Sequence, residues 1–155
     1  MKESKKQGIL KWMLMLLLTV TLGLTVQSCS KDNQVNQPVD VTLLVDRVWN
    51  YSQENPDGFT IDIRTWTVPT VGICVSYAET QNSHSRESLV KVINHALAHE
   101  GYVGGWLDTE SGLYYFDSNR LFPEDSLDAA IQFGKENGQQ SIYVLSTGEG
   151  ISLTD

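Results

Sequence analysis

Basic residues are scarce in this chain. Across 155 residues Lys and Arg total 11 against 19 Asp and Glu, a formal charge of −8. Lys2, Lys5, Lys6 and Lys11 sit together at the start, so the remainder is more acidic still. From Cys29 onward there are 7 basic and 18 acidic residues, a charge of −11 over 127 residues. Nucleic-acid binding is driven by Lys and Arg neutralising phosphates, so such a body is excluded as a general DNA or RNA binder. Cysteine is equally sparse, with only Cys29 and Cys74 and no C-x-x-C pair. A disulfide framework is thereby excluded. There is no P-loop, no G-x-G-x-x-G after a strand pattern and no G-x-S-x-G, which removes three large enzyme classes. Disorder is excluded by what is present: 14 Trp, Tyr and Phe residues and apolar residues in periodic blocks.

The chain also has no apolar run long enough to span a bilayer. Trp12 to Val26 are 15 residues without charge, whereas a spanning helix needs ~20. A basic head before a short apolar run is instead the layout of a secretory signal. At its end, Val26-Gln27-Ser28-Cys29 resembles the lipobox of bacterial lipoproteins, in which the Cys becomes the diacylated first residue of the mature chain. Val26 and Ser28 carry the resemblance, and Gln27 stands where a small residue is usual. The resemblance implies that residues 1–28 are a removed signal peptide and that Cys29 carries diacylglycerol and palmitate. Each buried acyl methylene contributes ~0.8 kcal/mol, so two or three chains hold a domain on a membrane almost permanently. Ser30 after the lipidated Cys implies sorting to the outer membrane of a two-membrane envelope. Residues 29–38 lack apolar pattern and read as a hydrated tether.

Residues 39–155 read as one domain. Val41, Leu44, Val45, Val48 and Trp49 fall on one helical face, with Asp40 as N-cap. Asn55-Pro56-Asp57-Gly58 is a turn. Phe59 to Arg64 alternates with period two, a half-buried strand, and Gly72 to Ala78 is a second strand. Ser85 caps a helix running to Glu100, with Leu89, Val90, Val92, Ile93, Ala96 and Leu97 on its apolar arc. Trp106 to Asp108 and Leu113 to Asp117 form a hairpin across Thr109-Glu110-Ser111-Gly112, with Gly112 at positive φ. Gly104-Gly105 reads as a tight approach to Trp106. Asp125 or Ser126 caps a third helix in which Leu127, Ala130, Ile131 and Gly134 share a face; Gly134 signals close helix–sheet packing, and Gly138 stops the helix. Ser141 to Leu145 is the last clear strand, and Ile151 to Leu153 suits a short edge piece. The order α-β-β-α-β-β-α-β predicts an α+β domain, with three helices on an antiparallel or mixed sheet of about five strands.

The segments GFTIDI, ETQNSHS, VGGWLD, YYFDS and FGKENGQ resemble an uncharacterised small domain of anaerobic gut and oral bacteria. That resemblance implies a compact α+β fold and no activity.

Few constellations carry chemistry. His95 and His99 are spaced i, i+4, and a pair so placed can chelate a metal. The H-E-x-x-H arrangement is absent because Ala96 follows the first His. The pair is read as covering the border of the core, with His84 as the only further imidazole. Cys74 lies inside an apolar strand and reads as an inert thiol. Asp108 and Glu110 fit a tight turn rather than a calcium loop. The aromatics are the remaining signal. Tyr114 and Phe116 must face one side of their strand and Tyr115 the other. With an acidic surface, Trp66, Trp106, Tyr115, Asp108 and Glu110 are the candidate contacts for a basic protein or peptide. The expected function is a non-enzymatic, membrane-tethered interaction module of binding, inhibitory or immunity type, without cofactor or metal. The alternative is a small envelope hydrolase or metal-dependent enzyme using His95, His99 and a carboxylate such as Glu100 or Asp117.

Overall fold

Asp40 begins the first helix: its carboxylate accepts from the Thr42 and Leu43 N–H groups at 2.9 and 3.2 Å, which satisfies two of the donors a helix start leaves free. The computed structural model describes residues 39–154; residues 1–38, with the expected signal peptide, Cys29 and the expected tether, lie outside the described residues. Helix α1 (Val41–Glu54) is followed by β1 (Phe59–Asp62) and β2 (Ile73–Ser76), then α2 (Arg86–Ala98). Strands β3 (Tyr102–Asp108) and β4 (Leu113–Phe122) precede α3 (Leu127–Glu136), and β5 (Ser141–Val144) and β6 (Glu149–Ser152) complete the order. The domain is α+β, with three helices and a six-stranded sheet in the order β1-β3-β4-β2-β5-β6. Every pairing is antiparallel.

One strand more than expected is present, because Glu149–Ser152 pairs along its full length with β5. The β3–β4 hairpin is also longer than its apolar residues suggested. Ser118 and Asn119 are buried polar residues inside β4, and polar side chains there interrupt the alternation that marks a strand. Helix α2 ends two residues early, at Ala98, where the Gly101 N–H closes on Ala96 O at 2.9 Å. Ser126 occupies the N-cap position of α3 without making a side-chain cap; its hydroxyl donates to Asp125 instead.

The helices lie over one face of the sheet and divide its core in two. Leu44, Val45 and Val48 of α1 and Leu89, Val92, Ile93 and Ala96 of α2 bury against Ile61, Ile63, Val103 and Phe116. Ala130 of α3 packs with Ile73, Val75, Phe122 and Ile142. Gly134 permits that second contact: a Cβ there would stand 3.0 Å from Ile142 Cγ2 and 2.5 Å from a Leu153 methyl. Val90 and Leu127, expected on the apolar arcs, are exposed at the rims of their helices.

The opposite face carries no helix. Flat neighbouring strands lie ~4.8 Å apart, which would set β1 and β2, three positions apart in the order, about 14 Å from each other. Yet Thr60 Oγ1 of β1 lies 3.5 Å from Cys74 Sγ of β2. The sheet is therefore curled into a trough, concave on the side without helices. Strand β1, expected to be half-buried, has Ile61 buried on one side and Thr60 on the other. Gly104 and Gly105 lie in the middle of β3. A Cβ on Gly104 would overlap the Asn119 side-chain amide, and one on Gly105 would stand 2.8 to 2.9 Å from the Phe59 and Phe116 rings. Overpacking of this kind costs ~1–3 kcal/mol. Gly104→Ala is accordingly expected to destabilise the domain by about 2 kcal/mol in urea denaturation at unchanged m. A change within about 0.5 kcal/mol, the range of ordinary surface substitutions, would show that the trough floor is not close-packed.

Candidate functional site on the helix-free face

Alternation along the strands decides which side chains reach the trough. Ile61, Val103, Phe116, Val75 and Ile142 point into the core, so their neighbours Thr60, Gly104, Trp106, Tyr115, Asp117, Cys74, Ser141 and Tyr143 line the other side. Together they border an open groove of about 880 Å³, within the volume range of sites that hold small ligands or inserted side chains. Asp57, Gly58, Val68, Pro69 and Leu145 also line it, as do Gly138 to Gln140, which follow α3. Residues 77–85 prolong the line of β2 beside β4: Tyr77 N donates to Ser118 O at 3.0 Å and Phe116 N to Ser83 O at 2.9 Å. Asn82, at φ +60°, turns this segment along the groove.

The floor is polar and, with one exception, satisfied. Thr60 and Cys74 are in mutual contact. The Asn119 amide, oriented by its network, accepts from Gly104 N at 3.1 Å and donates to Ser76 Oγ at 2.9 Å. The exception is Asp117, whose Oδ1 is buried without a hydrogen-bond partner. Burial pushes its pKa up to about 6, partly countered by the nearby His84. Cys74 beside it is pushed up to about 11 by burial, so at neutral pH it is a thiol and not a nucleophile.

Trp106 and Tyr115 form the aromatic wall. They are directly paired across the hairpin, and their rings stack at 4.9 Å and 15°. The His84 ring stands edge-on to Tyr115 at 4.3 Å, with Nδ1 2.9 Å from Tyr114 O. Trp106 is 47% exposed, so the stacked pair offers a free aromatic surface. Tyr114 and Phe116 pack instead against Trp49 on the helix side, the split that strand alternation requires.

The remaining sequence candidates are dispersed. Trp66 adopts φ +58° and packs edge-on against Tyr51 of α1 at 5.9 Å, with the Arg47 guanidinium 3.7 Å above its ring. It does not line the groove. Asp108 folds the hairpin turn, accepting from Glu110 N at 3.1 Å and Ser111 Oγ at 2.6 Å. The Ser111 bond and the Glu110 N–H hold its carboxyl below the usual range. Glu110 is exposed at the hairpin tip. Cys29 lies outside the described residues.

His95 and His99 stack face to face at 4.0 Å on the helix side of the sheet. Tyr77 packs on both rings, each at 4.8 Å, and donates to Glu100 Oε2 at 2.8 Å. His95 Nδ1 meets Ser118 Oγ at 3.0 Å, while His99 Nδ1 is held by His95 O at 2.8 Å. Burial first and the neighbouring His99 second lower the pKa of His95. His84 and Asp117 lie across the sheet from this pair, on the groove side of β4. Among the described residues no group of three or more His, Cys, Asp or Glu side chains converges in a way that could hold a metal ion. None of the helices described is long and apolar enough to cross a membrane.

Of the residues that line the groove, sequence reasoning names Trp106 and Tyr115 as partner contacts and Asp117 only as a carboxylate of the enzyme alternative; the floor that Asp117 shares with Thr60 and Asn119 is not foreseen. Thr60, Asp117 and Asn119 are scattered polar residues in the chain, and only the pairing of Thr60 with Gly104 and of Gly104 with Asp117 brings them together. No protein-family model, curated protein or solved structure matches the chain.

Proposed function

We propose that the protein is a lipid-tethered envelope module that binds a protein or peptide partner through the helix-free face of its sheet. The observation that carries this reading is the groove itself. A stacked Trp–Tyr pair, with Trp106 exposed and Tyr115 half-buried, borders a floor that holds a buried carboxylate oxygen without a partner. Exposed aromatics anchor interfaces because they bury a large area at low entropic cost. A charge of −11 on the mature chain favours a basic partner and speeds its approach. A reading without catalysis is supported by the protonated state of Cys74 at neutral pH. Of the carboxylates in the enzyme alternative, Asp117 is separated from His95 and His99 across the sheet, whereas Glu100 lies on their side and is taken up by the Tyr77 hydroxyl. The tether rests on the lipobox-like Val26-Gln27-Ser28-Cys29, and outer-membrane placement rests on Ser30.

The test is capture from envelope extract with the full-length chain, comparing wild type with a Trp106→Ser, Tyr115→Ser double variant. Truncating central aromatic anchors typically costs 2 kcal/mol or more, roughly thirtyfold in affinity. The expected result is a partner held by wild type and lost from the double variant, with unchanged far-UV circular dichroism. Identical capture by both proteins would exclude the groove as the contact surface.

A further inference from the structure

We infer that Asp117 is the anchor for a single cationic head group of the ligand, an ammonium or guanidinium on an alkyl stem, with the stem lying along the stacked Trp106 and Tyr115 rings. This rests on the reading of the groove as the binding face and adds the chemistry of what fills it.

Three observations select that chemistry. An ionised carboxylate only accepts hydrogen bonds, and Oδ1 of Asp117 is buried with none. Thr60, Cys74, Ser76 and Asn119 on the same floor already have partners, so the unmet demand is for one donor at one place. A ligand acceptor or anion would meet only repulsion there, and the acidity of the chain extends that repulsion outward. The second observation is position. Tyr115 is two residues from Asp117 on the same face of β4. Gly104, opposite Asp117, is two residues from Trp106 on β3. An alkyl stem of three or four carbons reaching down the aromatic wall therefore ends at the carboxylate. The exposed ring faces attract a passing cation as well as the stem. The third observation is the surrounding charge. The titratable groups facing Asp117 are His84 from residues 77–85 and Cys74 from β2. Strands β1 and β3 contribute Thr60 and Gly104, and Asp57 is a further lining residue of the groove. No Lys or Arg appears among the residues lining the groove, so a cation must come from the ligand.

A carboxylate that titrates near 6 when free and in the ordinary range when paired makes cation binding release a proton. Between pH 7.5 and pH 5 the affinity for a permanent cation is then expected to fall about tenfold.

The experiment is a titration of the isotope-labelled full chain, held in detergent micelles, with three capped amino acids. They are N-acetyl-lysine-N-methylamide, its arginine counterpart, and the uncharged isostere N-acetyl-norleucine-N-methylamide, each read by amide and carboxyl NMR. The expected result is saturable shifts at Gly104, Tyr115 and Asp117 with one of the cationic probes and none with norleucine. Those shifts weaken about tenfold at pH 5 and at least tenfold in Asp117→Asn. Trp106→Ala is expected to weaken binding several-fold while keeping the pH dependence. Equal binding of norleucine, or unchanged binding by Asp117→Asn, overturns the anchor while leaving the groove as a binding face. If no probe shifts any groove residue, Oδ1 holds bound water only and the anchor is overturned. If the aromatic double variant also captures its partner normally, the reading of the groove falls with it.

Discussion

Asp117→Asn is expected to make the protein more stable at pH 7, by about 2–3 kcal/mol, which for a domain of this size raises the melting temperature by roughly 10 °C. The cause is the cost of ionising a buried carboxyl. Its pKa rises from 3.8 to about 6 on folding because burial removes water from the charge. Each unit corresponds to ~1.4 kcal/mol of differential stability. A raised carboxyl pKa means that the folded chain binds more protons than the unfolded chain between pH 3.8 and 6. The contribution of Asp117 is therefore fully present below pH 3.8 and is lost as pH rises through 6. Asn keeps the shape, cannot ionise and supplies a donor on the floor. The stability difference between variant and wild type should be small at pH 4, grow between pH 4 and 6, and level above 7. His95 acts in the opposite sense, since its lowered pKa withdraws stability as pH falls below about 6.5, but that contribution is common to both proteins and cancels in the difference. Chemical denaturation across this range checks the prediction. A variant less stable than wild type at pH 7 would mean that Asp117 is paired, with His84 as the nearest candidate.

The second large effect concerns Cys29. On the proposed lipobox reading, substitution by Ala removes the cysteine that carries the acyl chains, so wild type should partition with membranes and Cys29→Ala should not. With ~0.8 kcal/mol per buried methylene, losing two or three chains moves the equilibrium by many orders of magnitude. Feeding cells an alkyne-bearing palmitate and following the label through membrane fractionation gives the readout. Label on the wild type alone is the expected outcome, whereas equal label and equal membrane recovery for both proteins would remove the lipid anchor. The groove would keep its chemistry in that case, because nothing in its geometry depends on the tether.

How far the fold is legible in the sequence depends on whether a residue's role is local. Asp40, Gly112, Gly134 and Gly138 act through their own backbone or an immediate contact, and each is found where its chemistry places it. The length of β4 is not legible, because Ser118 and Asn119 are buried polar residues whose partners come from distant segments. Ser118 N is met by Thr80 Oγ1 at 2.9 Å and Ser118 Oγ by His95 at 3.0 Å. Nor is the insertion of the β3–β4 hairpin between β1 and β2 legible. Adjacent strands in sequence usually pair, and here the Pro-containing connection carries the chain across the trough. That insertion creates the groove. Its aromatic wall is readable because Trp106 and Tyr115 are large and close in sequence. Its floor is not, because it is assembled from four strands whose residues lie up to 59 positions apart, Thr60 to Asn119.

The most direct measurement of where the protein binds is amide hydrogen exchange of the full-length chain with and without its captured partner. Slowed exchange is predicted at Gly104 to Trp106, at Tyr115 to Asp117 and at Ser141 to Tyr143, with the outer faces of α1 and α2 unchanged. Slowed exchange confined to α1 and α2, with the trough strands exchanging as in the free protein, would contradict binding through the helix-free face.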